Sequence, residues 1–166
     1  MSVTGPIARE HIVFRAATAG DSPFLVQLYA STRADEMAQV PWDDHQKFAF
    51  LLQQFNAQKR YYETSYPDCR FLVIEIAGAL AGRLYIDREA DNIHVIDISL
   101  VASLRGRGVG RMLLEEVVDE ARSNGKSVGI YVEHFNPARR LYDRLGFRQI
   151  ETVGLYHRME WRSSVS

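Results

Sequence analysis

The chain has 166 residues, 46% of them hydrophobic and 25% charged, enough for one sizeable core and too few for two. Twenty basic against 21 acidic side chains leave a net charge of -1. That balance excludes a global positive field of the kind that holds nucleic acid or anionic lipid, so an anionic ligand has to be captured locally. The single cysteine, Cys69, excludes an internal disulfide and has no Cys or His partner at zinc-ligand spacing, so no metal is expected.

Residues 1–11 lack the apolar stretch of a secretory signal and nothing later reads as a membrane span, so the expectation is a cytoplasmic protein without membrane contact. One domain is expected over residues 12–162, with flexible ends at 1–11 and 163–166. Ile12 to Ala16 reads as a first strand. Asp21 then offers a cap for a helix carrying Phe24, Leu25 and Leu28 and ending near Arg33. After Pro41 and Trp42, the pair Asp43 and Asp44 can cap a second helix, on which Phe48, Leu51, Leu52 and Phe55 fall at i, i+3, i+4 and i+7. Phe71–Ile76 and Leu80–Asp87, joined through Ala77-Gly78, read as an antiparallel strand pair, with Gly82 marking a bulge.

Asp91-Asn92 turns the chain into a strand over Ile93–Val101, placed centrally, whose end runs directly into a glycine-rich loop. From Gly110 to Asn124 the apolar residues 113, 114, 117, 118 and 121 share one helical face, and Gly125 closes the helix. Val128, Ile130 and Val132 alternate along the next strand, so strand, helix and strand form a right-handed crossover between parallel strands. Asn136 can cap a last helix with Pro137 at its first position and Ala138, Leu141, Tyr142 and Leu145 facing inward. Arg148–Val153 and Tyr156–Trp161 read as closing strands. The pattern predicts an α/β (α+β) fold with a mixed, mostly antiparallel sheet of about seven strands, a parallel central pair and four helices.

The loop Arg105-Gly106-Arg107-Gly108-Val109-Gly110 lies where a strand hands over to a helix, so free amides and the helix dipole converge on it. Glycines there let a diphosphate approach the backbone, and Arg105, Arg107 and Arg111 add positive charge. The spacing is not that of a dinucleotide-binding fingerprint, and no Gly-Lys-Ser/Thr follows as in a P-loop. By itself, the loop is also compatible with a plain strand-to-helix connection.

Arg105-x-x-Gly108-x-Gly110 resembles the R/Q-x-x-G-x-G/A signature of the GNAT superfamily of N-acetyltransferases. The stretch from Asn136 to Phe147, with Ala138, Tyr142 and Gly146, resembles the family's N-x-x-A-x-x-x-Y-x-x-x-G-F segment, one residue shorter between Asn136 and Tyr142 than the commonest spacing. The element order over residues 12–162 is also that of the family. The resemblance implies acetyl-CoA as co-substrate, its pantetheine arm paired with Leu100 and Val101, and its pyrophosphate held by the loop amides of Gly106, Arg107, Gly108, Val109, Gly110 and Arg111 beside Arg105 and Asn136. It also implies Tyr142 as general acid to the departing thiolate and His94 as general base, with Asp97 as the fallback.

A base is chemically required, because a lysine-like amine with an intrinsic pKa near 10.4 is neutral in only roughly one molecule in a few thousand at pH 7. From the residues alone, His94 also reads as a solvent-facing or structural histidine on a strand, and Tyr142 as a helix tyrosine packed beside Leu141 and Leu145. The acceptor is expected to be a small-molecule or peptide amine, with Glu36, Asp43 and Asp44 hinting at a cation, and the chain a monomer or homodimer. The alternative to an enzyme is a non-catalytic acyl-CoA sensor on the same fold.

Overall fold

The chain is arranged as β1 (Ile12–Ala16), α1 (Ser22–Thr32), α2 (Ala34–Ala38), α3 (Asp44–Ser65), β2 (Arg70–Ile76), β3 (Ala79–Arg88), β4 (Asn92–Leu100), α4 (Val109–Ser123), β5 (Ser127–Glu133), α5 (Arg139–Arg144), β6 (Arg148–Val153) and β7 (Tyr156–Trp161), with β3 buried through its middle and β5 alternating in burial. This computed structural model describes residues 5–134 and 136–163. The strands form one sheet in the order β1-β2-β3-β4-β5-β7-β6, with every neighbouring pair antiparallel except β4 and β5. The mixed α/β architecture and seven-strand sheet are those expected.

One face of the sheet carries the larger core, in which Ile74, Ile86, Ile93, Val95, Val128 and Ile130 meet Leu113, Leu114, Val117 and Ala121 of α4. Tyr142 of α5 and Phe147 belong to the same cluster. On the other face Leu25, Val26 and Tyr29 of α1 pack with Leu51 and Phe55 of α3 over Val73. Of the four apolar residues expected to face inward on α3, Phe48 is half exposed at 50%. The 22-residue helix extends past the edge of the small core beneath it, and only Leu51 and Phe55 are fully covered.

Three local expectations change. Among the described residues there are five α-helices instead of four, because the helix-favouring run Ala34-Asp35-Glu36-Met37-Ala38 makes a short turn-and-a-half of its own after Arg33. Asp21 precedes α1 but does not cap it; its carboxylate takes a bidentate bond from Arg15, both contacts at 2.8 Å, and one from the Thr18 amide. Asp43, by contrast, caps α3 and accepts from the Gln46 amide at 2.8 Å. The last helix starts at Arg139, later than expected, because the Asn136 side chain accepts from the Ala138 amide at 2.9 Å and holds a turn ahead of the helix. Of the ends expected to be flexible, residues 1–4 and 164–166 lie outside those described. Ile7 is buried at 8%, and Arg9 pairs with Glu116 on α4.

Two bulges shape the centre of the sheet. On β3 the pairing with β2 steps from Gly82 to Leu80, so Ala81 is the extra residue. On β4 the pairing with β3 steps from Asp97 to Val95, so Ile96 is the extra residue. Gly82 is required by close approach: a Cβ built there would lie 2.2 Å from the Ser99 carbonyl oxygen on β4. Replacing Gly82 with alanine is therefore expected to cost roughly 1–3 kcal/mol by overpacking. Urea unfolding of the variant checks it, and an unchanged midpoint would contradict so tight an approach.

Candidate active site

The parallel pairing of β4 with β5 covers only Asn92–Val95 against Ser127–Ile130. Beyond it, β4 stays with β3 as far as Leu100, while β5 stays with β7 as far as Glu133. The two strands part just after the Ile96 bulge, and their facing edges carry no ladder. A cavity of about 910 Å³ occupies this opening, within the range of small-molecule sites. Ile96, Asp97, Ile98, Ser99 and Leu100 line it on one side, and Tyr131 and Glu133 on the other.

The glycine loop forms one end of the cavity. Gly106 and Gly108 both adopt left-handed φ, at 72° and 83°, and Gly108 is the residue immediately before α4. No side chain caps that helix, so the amides of Val109, Gly110 and Arg111 lack intrahelical acceptors and open toward the cavity they line. Arg105, Arg111 and Arg144 also line the cavity. Arg105 is held by the Leu100 carbonyl and the Ser31 hydroxyl, each at 3.0 Å. The donor set suits a phosphate group: uncapped helix amides, glycines without side chains, and guanidinium groups at the rim.

Arg33 and Arg83 also line the cavity, together with Asp35, Glu36, Asp97 and Glu133. Arg33 donates to Glu133 at 2.8 Å and stacks 5.4 Å over the Tyr29 ring, while its Nε is buried without a partner. Burial works against the Arg33 charge, but Glu133 outweighs it and raises the pKa. Arg83 is 4% exposed in mid-sheet, pairs with Asp97, and donates to Gln58 at 3.0 Å. The Ser99 hydroxyl also donates to Asp97, at 3.1 Å.

The structure divides the residues singled out from sequence. Leu100, Arg105, Gly106, Gly108, Val109, Gly110, Arg111, Asn136 and Tyr142 all line the one cavity. Val101, Arg107 and His94 do not. The Val101 amide bonds back to Ala81 on β3 at 2.8 Å, away from β5. Arg107 reaches the Gly5 carbonyl. His94 pairs in register with Gly129, below the point where the strands part, and its ring packs between Tyr66 at 5.3 Å and Tyr131 at 5.6 Å. Burial lowers its pKa. Asp97, the fallback, does line the cavity but is bonded to Arg83.

Tyr142 is 5% exposed, and its ring sits 5.8 Å from that of Phe147. Burial, reinforced by the charge of Asp97, raises the phenol's pKa and keeps it protonated. Arg83 was missed at the sequence level, although one charge inside the apolar run Leu80–Ile86 is a signal of a buried ion pair. Tyr29, Gln58 and Tyr62 carried no comparable signal, since helical tyrosines and glutamines are ordinary in any sequence.

The sequence model of the Acetyltransferase (GNAT) family matches residues 29–147, which includes the loop, both flanking strands and α5. The chain belongs to this family. A relative described as an IAA acetyltransferase from Azospirillum brasilense is 35% identical over 94 residues, covering 54% of this chain and 61% of that protein, so the match leaves more than a third of the relative's length unaligned. Among solved structures, the PaiA N-acetyltransferase of Thermoplasma acidophilum in complex with coenzyme A superposes with a TM-score of 0.66 at 18% identity, over 92% of this chain and 99% of that one. The ribosomal-protein-S18-alanine N-acetyltransferase of Escherichia coli gives 0.60 at 18% identity, over 93% and 96%. These likenesses, at under 25% identity, carry the fold alone. Among the described residues, no helix of this acetyltransferase-family protein is long and apolar enough to cross a membrane.

Proposed function

We propose that the protein is an acetyl-CoA-dependent N-acetyltransferase that passes the acetyl group directly to a primary amine. The observation that carries this reading is the shared cavity: uncapped loop amides, the free β4 edge and the Tyr142 phenol all line one opening in the sheet. Acetyl-CoA supplies the thioester and the thiolate leaving group. The amides from Gly106 to Arg111, with Arg105 and Arg111, bind and orient its pyrophosphate. The backbone edge of Ile98–Leu100 pairs with the pantetheine arm, and an amide beside the Ile96 bulge donates to the thioester oxygen. Tyr142 holds the proton offered to the thiolate sulfur.

The amine proton leaves toward the carboxylates that line the cavity. Asp97 lines the cavity from β4, whereas His94 does not line it and packs against Tyr131. Asp35, Glu36, Asp97 and Glu133 give the cavity carboxylates that suit a cationic amine, and Arg105, Arg111 and Arg144 suit the anionic donor.

Calorimetric titration of the protein with acetyl-CoA tests the reading, with Gly110→Trp as the control. Gly110 has open space at its Cβ and no left-handed φ, so an indole fits without backbone strain and covers the amides. The expected result is binding by the parent and at least about a hundredfold loss in the variant, the scale of a blocked multi-point anion site. No binding by the parent would overturn the donor assignment. Binding without turnover across a broad panel of amines would favour the sensor reading.

A further inference from the structure

A second cavity of about 240 Å³ lies under the α1–α3 face of the sheet and borders the first. Gln58, Tyr62 and Arg83 line both cavities, so they form the partition between them. The partition has two unlike halves. Arg83 is fixed from the sheet by Asp97 and by stacking 4.6 Å over Tyr85. Gln58 and Tyr62 come from α3, where the hydrogen bond from Arg83 to Gln58, at 3.0 Å, is the link across. Breaking that bond leaves the Gln58 side chain able to change rotamer while the sheet stays in place.

The interior of the second cavity is aromatic. Phe55, Phe71 and Tyr85 line it with Tyr62, the Phe71 and Tyr85 rings meeting edge-on at 4.9 Å and those of Tyr62 and Tyr85 at 6.0 Å. Leu25 of α1 also lines it, and its exposed lining residues are Thr18, Ala19, Lys59 and Glu63. A chamber with aromatic walls and a polar partition at one end fits an amphipathic guest, with its ring inside and its polar head at the partition.

We propose that this second cavity is a subsite for the apolar, ring-bearing tail of the acceptor, whose amine reaches past Gln58 and Tyr62 to Asp97. The inference rests on the acetyltransfer reading and narrows its substrate to an arylalkyl amine or a larger molecule ending in one. It also gives Arg83 a positioning role, since the same guanidinium orients Asp97 on one side and borders the tail on the other.

An NMR-detected titration of the full chain saturated with coenzyme A tests it, using 4-phenylbutylamine and butylamine as probes. The aryl amine is expected to bind at least about tenfold more tightly, the low end for burying a Phe-sized group, and to shift the amides of Thr18, Ala19 and Lys59. Ser22→Trp, which narrows the chamber, and Phe71→Ala, which removes a wall, are each expected to erase that preference, with coenzyme A affinity reporting that each variant is folded. Equal affinity for the two amines, or shifts confined to the β4–β5 opening, would overturn the proposal. If the chain does not bind coenzyme A, the donor reading fails, and the same titration of the ligand-free chain still decides whether the chamber takes the ring.

Discussion

Tyr142→Phe is expected to lower kcat by about a hundredfold while acetyl-CoA affinity stays within about twofold of the parent, because the hydroxyl acts on charge that develops only as the C–S bond breaks. The substitution is clean structurally. Phenylalanine keeps the ring that packs against Phe147 and fills the same site in the core. The magnitude is set at the low end of general-acid effects for a chemical reason. Burial and Asp97 raise the phenol's pKa, while a thiol titrates near 8.5, so complete proton transfer to sulfur runs uphill. Tyr142 then acts chiefly as a hydrogen-bond donor to the developing thiolate. Steady-state kinetics with any accepted amine reads this directly, and a variant turning over at the parental rate would remove Tyr142 from the reaction and leave it a packing residue.

The elements were legible because each has a local cause. The apolar residues of α4 fall on one face of a 3.6-residue period, those of β5 alternate, and both are buried as that pattern demands. The glycine loop was legible for the same reason: Gly106 and Gly108 occupy left-handed φ, which other residues adopt at a cost, and their backbone need shows in the sequence itself. What stayed hidden depends on register. Whether a β4 side chain reaches the cavity is decided by where β5 stops pairing and by the extra residue at Ile96, and neither follows from β-propensity or alternation. His94 and Asp97 differ by three positions. His94 lies in the zipped part of the parallel pair and Asp97 in the open part, which places only Asp97 on the cavity wall. The acceptor side was illegible for another reason: Gln58, Arg83 and Glu133 come from α3, β3 and β5, Arg33 from the junction of α1 and α2, and they meet only once α1 and α3 are packed on the sheet.

Arg83→Met is expected to destabilise the protein by about 3 kcal/mol, the low end for breaking a buried ion pair by removing one partner. The low end applies because Asp97, unlike Arg83, keeps 22% of its side chain exposed at the cavity wall and recovers some hydration there. Loss of the guanidinium leaves the Asp97 carboxylate with the Ser99 hydroxyl as its remaining bond and releases Gln58. Arg83→Lys keeps the charge but not the planar fork that reaches Asp97 and Gln58 together, so it is expected to fall between parent and Met. Adding Asp97→Asn to Arg83→Met removes the stranded charge and should restore a large part of the loss, a coupling that a double-mutant cycle in urea measures. Near-additivity in that cycle would mean that water already screens the pair. Strong coupling together with a fall in kcat for the Lys variant, at unchanged acetyl-CoA affinity, would mean that the geometry of Asp97 matters beyond its charge, as expected if it receives the proton of the attacking amine.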